Sequence, residues 1–202
     1  MKNLLLLFIL IPFSALAKFY PGNIILNDGT SKKGFIEIPA YNDAKIKFKA
    51  DKKEKAESFE IGLVKSFEIV NDENITLKYV TIFLANQKPF KPSEFTVDKK
   101  KSWVMIVKEG KINLYSVYFN SATDEGYSFY IKKEKDDHAL FISQSFGGGN
   151  ICMNCFTTLK STIKTIFEKD CPKLSDLLDK NDLKKNGLSR IVELYEENCG
   201  TK

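Results

Sequence analysis

The spacing of apolar residues changes once along this chain, at Gly147-Gly148-Gly149, and the change separates what can form on either side. Before it, apolar residues come in short runs or in alternation, the pattern of half-buried strands. Lys45-Ile46-Lys47-Phe48-Lys49 is the clearest case, because period two sets Ile46 and Phe48 on one face and three lysines on the other. After it, Phe156, Leu159, Ile163, Ile166 and Phe167 recur at spacings of three and four, which places them along one face of a helix. The chain is therefore read as α+β. A mainly antiparallel β domain over residues 18–146, about eight to ten strands forming a sandwich or rolled sheet, precedes a helical segment over 150–202 that packs on it.

Turn chemistry divides the β region. Asn27-Asp28-Gly29-Thr30 joins the runs Ile24-Ile25-Leu26 and Phe35-Ile36-Glu37-Ile38 as a hairpin, since Asn, Asp and Gly tolerate left-handed backbone. Asn71-Asp72-Glu73-Asn74 separates strands at 64–70 and 75–84. Pro89, Pro92 and the basic Lys99-Lys100-Lys101 read as a long loop near 85–101, a point where the domain could subdivide. The five consecutive apolar residues 103–107 predict a strand covered on both faces, and Lys108-Glu109-Gly110-Lys111 turns it into 112–119. Runs 127–131 and 139–142 form another hairpin. In the tail, Asp170-Cys171-Pro172 ends the first helix and starts a short one carrying Leu174, Leu177 and Leu178. A last helix over 188–198 follows, with Leu188, Ile191, Val192 and Tyr195 as its stripe, giving two or three helices in all.

Residues 1–17 have the form of an export signal: basic Lys2, an apolar run over 4–13 and the small-residue pattern Ala15-Leu16-Ala17. The run is well short of the roughly 20 residues a membrane-spanning helix needs. The reading is cleavage after Ala17 and a periplasmic or secreted product with no transmembrane segment. A net charge of +5, with lysines interleaved among acids, is too weak and too mixed to imply a nucleic-acid partner. Lysines at 45–55 and 99–101 could touch anionic lipids or glycans, but the interleaved acids favour solvated faces.

All four cysteines fall in the last quarter of the chain, and an exported protein favours disulfides over free thiols. Cys171 lies four residues past Phe167 and Cys199 four past Tyr195, so each extends a buried helical stripe. That periodicity selects Cys171–Cys199 and leaves Cys152–Cys155 as the second pair. Cys152-Met153-Asn154-Cys155 stands just before a helix, where a lowered thiol pKa would suit dithiol–disulfide chemistry. A local structural disulfide is the competing reading, because no thioredoxin-like alternation of strands and helices precedes the motif. Haem attachment would need His where Phe156 stands, and Cys171 and Cys199 do not form the second close pair of a zinc site. No cofactor or metal is expected. His138, the sole histidine, sits beside Asp136-Asp137 in what reads as a turn, so no catalytic constellation emerges and an enzyme is disfavoured.

Several segments carry a resemblance. Gly22-Asn23-Ile24-Ile25-Leu26-Asn27-Asp28-Gly29, Lys33-Gly34-Phe35-Ile36 and Val64-Lys65-Ser66-Phe67-Glu68-Ile69 stand in the β region. Glu109-Gly110-Lys111-Ile112-Asn113-Leu114-Tyr115, Asp170-Cys171-Pro172-Lys173-Leu174 and Ile191-Val192-Glu193-Leu194-Tyr195 stand in the second half. Together with the export signal, these resemble the uncharacterised exported proteins of Bacteroidetes-type bacteria. The resemblance brings no activity, cofactor or catalytic residue. Some of those proteins continue into an outer-membrane-type barrel, whereas this chain stops after its helices, which implies a diffusible or surface-associated role. The resulting expectation is a non-enzymatic module that binds an envelope protein, peptide or polymer through sheet edges and the aromatic runs 115–119 and 127–130. The alternatives are a thiol–disulfide protein using Cys152 and Cys155, and a carrier of lipid or another small ligand.

Overall fold

The computed structural model describes residues 18–120, 124–146, 150–151 and 155–200. The leader 1–17 with its cleavage point, Gly147-Gly148-Gly149 and Cys152 lie outside the described residues. The protein is β-rich with helices gathered at its C-terminal end.

Eleven strands run in chain order: β1 (Phe19–Leu26), β2 (Ser31–Glu37), β3 (Lys45–Lys49), β4 (Glu57–Glu60), β5 (Val64–Val70), β6 (Thr76–Lys88), β7 (Lys91–Lys108), β8 (Ile112–Asn120), β9 (Glu125–Lys133), β10 (His138–Phe146) and β11 (Asn150–Ile151). They pair in the order β11-β10-β9-β8-β7-β6-β5-β1-β2-β3-β4. A further pairing closes part of this ribbon, because β10 also lies parallel to β6, with Ala139 opposite Leu84. Strands β6 to β10 therefore make a closed five-stranded barrel, while β5-β1-β2-β3-β4 continue as a flap. The α+β class and the mainly antiparallel pairing hold, whereas the expected sandwich is corrected to this barrel with extra strands, and one pairing is parallel. Irregularities between Phe83 and Ala85 and between Phe141 and Ser143 supply local bends of the kind that bring distant strands together.

The long loop expected near 85–101 is instead the outer half of a hairpin. β6 continues to Lys88 and β7 begins at Lys91, with Ala85 opposite Val97 and Gln87 opposite Phe95. Its lysines had hidden it, because this part of the sheet faces water and needs no apolar alternation. Two short strands, β4 with Phe59 as its one large apolar residue and the two-residue β11, also gave no signal.

Three cores follow from alternation. Ile24, Ile36, Ile46, Phe48, Val64, Phe67, Ile69 and Trp103 fill the flap. Leu84, Val104, Tyr115, Val117, Tyr130 and Ala139 fill the barrel. Ile112, Leu114, Ile131 and Ile142 on the barrel's outer wall meet the helices. Trp103 and Val104, neighbours on β7, thus serve two different cores, which accounts for the uninterrupted apolar run there.

The helices are α1 (Cys155–Phe167), α2 (Leu174–Leu177), α3 (Lys180–Asn186) and α4 (Ser189–Cys199). α1 and α4 bury Leu159, Ile163, Phe167, Ile191 and Val192, the stripes the sequence marks. α3 is an addition to the two or three expected. It is short and polar, held by its ends: Asp179 accepts the Asp182 N–H at 2.8 Å, and Gly187 at φ +69 closes it. Cys171 and Cys199, the pair singled out by periodicity, are joined by a disulfide with Cα atoms 5.8 Å apart. Lys133–Asp170 at 2.6 Å and Lys108–Glu193 at 3.3 Å pin the helices to the barrel. Among the described residues, no helix is long and apolar enough to cross a membrane.

Candidate binding surface

Cys155 opens α1, is half-buried and is disulfide-bonded. Its expected partner Cys152 lies outside the described residues. The sole histidine is remote from it. Cys155 follows β11 by a few residues, and Ile151 of β11 pairs with Ser145 near the end of β10, whereas His138 begins that strand. Seven residues of strand at about 3.3 Å each separate the two ends, well beyond a proton-transfer contact. His138 Nδ1 lies instead 2.5 Å from Asp137 Oδ1, and this hydrogen bond holds the Asp137 carboxyl below its ordinary pKa. Among the described residues, no three His, Cys, Asp or Glu side chains group as metal ligands.

The aromatic runs resolve by parity. β8 and β9 pair with Leu114 opposite Ile131, Ser116 opposite Phe129, and Tyr118 opposite Tyr127, all on the barrel's outer wall. Tyr115 and Tyr130, one residue out of phase, point into the barrel. There Tyr130 donates its hydroxyl to Asn86 Oδ1 at 3.0 Å, and burial pushes its pKa up to about 12. On the outer wall the helices cover Leu114 and Ile131, and Phe129 sits half-buried at the margin of that cover. Beyond the margin Tyr118 and Tyr127 stand 49% and 40% exposed. Their ring centroids are 5.4 Å apart, and Tyr127 lies 6.5 Å from Phe129, so the three form one aromatic surface. Tyr118 donates to Glu125 Oε2 at 3.0 Å, and that hydrogen bond raises the phenol pKa.

The surroundings of this surface are unusually demanding. Ser116 and Ser145 flank it, both buried, and neither Oγ has a hydrogen-bond partner among the described residues. A buried hydroxyl left unpaired costs about 1–3 kcal/mol. Gly126, next to Tyr127, is required by close approach: a Cβ there would lie 1.9 Å from the Ser145 carbonyl oxygen. The sequence marked both aromatic runs but did not separate Tyr118 and Tyr127 from Tyr115 and Tyr130. Parity alone could have paired them, whereas which pair is exposed depends on how far the helices reach.

A groove of about 260 Å³ opens between β1, β5, β6 and β7, lined by Asn23, Ser66, Glu68, Lys78, Tyr79 and Glu109 among others. It falls just below the roughly 300–1,000 Å³ of small-molecule sites, and Lys78 and Glu109 face one another across 4.0 Å. It gives the carrier reading little support. Compared with protein-family models, curated proteins and solved structures, the chain finds no match in any of the three.

Proposed function

We propose that this is an exported, non-enzymatic binding module that engages an envelope protein, peptide or polymer through Tyr118, Tyr127 and Phe129. One observation carries the reading: beyond the part of the barrel wall that the helices cover, two adjacent tyrosines are left open to solvent. Tyrosines present a rigid apolar ring with a polar tip and lose little conformational entropy on binding, which is why interfaces are rich in them. Export rests on the leader pattern of residues 1–17. The test is capture from envelope extracts with the wild-type protein and with Tyr118→Ala/Tyr127→Ala. The expected result is a partner retained by the wild type and lost at least about tenfold by the variant, with thermal midpoints unchanged. Equal retention by both proteins, or no retained partner, removes the reading.

Cys155 at the first position of the thirteen-residue α1 favours a second reading, a thiol–disulfide protein using Cys152 and Cys155. A helix N-terminus stabilises thiolate. A Cys152–Cys155 bond with a reduction potential between about −120 and −270 mV, and dithiol turnover abolished by Cys155→Ser, would support it. A potential below about −300 mV would mark the bond as a staple.

A further inference from the structure

The β6–β7 hairpin ends in Pro89 and Phe90, with Lys88 opposite Lys91. Phe90 has φ +61, and its side chain is fully exposed. Proline fixes a negative φ at the preceding position, so the signs are those of a type II turn, whose third residue strongly prefers Gly or Asn. A bulky aromatic residue therefore occupies a position that disfavours it and, among the described residues, packs on nothing. Local rules broken without a compensating contact are expected at functional sites.

The charge near the tip and back along β7 is net positive. Lys88 and Lys91 share the single carboxylate of Glu94, at 2.8 and 3.1 Å. From 88 to 101 the chain carries five lysines against two acids, and Val97 adds a second exposed apolar side chain. Lys99 and Lys100 are exposed as well. We infer that this hairpin tip docks on an anionic lipid surface. Phe90 enters the boundary between headgroups and acyl chains, and the lysines face the phosphates. A single protruding ring collared by ammonium groups suits a soft anionic interface, because insertion needs no matching pocket. A protein partner would be expected to meet a broader apolar core with a polar rim. The contact is peripheral and reversible and is independent of the Tyr118–Tyr127 face.

Vesicle sedimentation tests the inference on protein from Lys18 onward, which holds every described element. Three proteins are compared: wild type, Phe90→Gly and Lys88→Gln/Lys91→Gln. Glycine suits φ +61, so Phe90→Gly keeps or improves the turn while removing the ring, and a thermal midpoint at or above wild type confirms that. The wild type is expected to bind phosphatidylglycerol-containing vesicles at least about tenfold better than pure phosphatidylcholine, with binding weakened by added salt. Both variants should lose about fivefold or more of the binding to the anionic vesicles. Absence of wild-type binding, equal binding to both vesicle types, or undiminished binding by Phe90→Gly overturns it. Retention on a soluble anionic polysaccharide that competes fully with vesicles also overturns it, assigning the tip to a polymer.

Discussion

Trp103 donates its indole Nε1–H to the carbonyl oxygen of Asp43 at 2.9 Å, fastening the loop between β2 and β3 to the middle of β7. The Trp103 backbone N–H reinforces the attachment by donating to the Tyr41 carbonyl, also at 2.9 Å. The ring itself is buried edge-on against Phe67, with centroids 5.6 Å apart. One residue of the barrel's longest strand thus anchors the flap by packing and by polarity at once.

Trp103→Phe should keep most of that packing and remove the donor, at an expected loss of about 1–2 kcal/mol. Trp103→Ala should lose about 3–5 kcal/mol by emptying the flap core. Urea midpoints measured with unchanged m-values would check both. Equal losses for the two variants would show that the hydrogen bond, rather than the ring, dominates.

The Cys171–Cys199 bond spans a sequence separation of 28 and joins the end of α4 to the segment after α1. Replacing both cysteines with Ala should destabilise the protein by about 3–4 kcal/mol on the chain-entropy account. The double variant is preferable to simple reduction, since Cys155 is disulfide-bonded too. Guanidinium unfolding of the oxidised protein and the variant gives the difference directly.

Tyr130 predicts an alkaline limit. Its folded pKa is pushed up to about 12 by burial, with Asp98 and Tyr41 adding to it, whereas an unfolded tyrosine ionises near 10. Stability from this group is complete below about pH 10 and is lost as pH rises from about 10 to 12, because the unfolded chain releases its proton first. The loss should approach about 2 kcal/mol. Tyr79, also pushed up to about 12 by burial, acts in the same direction. Urea stability followed across that range should fall less steeply in Tyr130→Phe than in the wild type; parallel curves would refute the assignment.

Legibility followed locality. The hairpin at Asn27-Asp28-Gly29-Thr30, the alternation of Ile46 and Phe48, and the stripes of α1 and α4 could be read because each depends on residues a few positions apart. The outer half of the β6–β7 hairpin could not, because its lysines serve a solvated ladder that carries no apolar period. α3 was hidden for a related reason: Asp179 and Gly187 hold a helix with little apolar face, and caps without a stripe are a weak signal.

The sequence by itself determined the alternation of the flap strands, the buried stripes of α1 and α4, and the pairing of Cys171 with Cys199. Only the tertiary structure decided that β10 returns beside β6 to close a barrel, that Trp103 locks the flap to it, and that Tyr118 and Tyr127 stay open while Tyr115 and Tyr130 are enclosed. The physical reason is that side-chain period is a property of a few neighbouring residues, whereas closure and cover depend on strand register and on where a helix stops, both fixed by contacts between residues far apart in the chain.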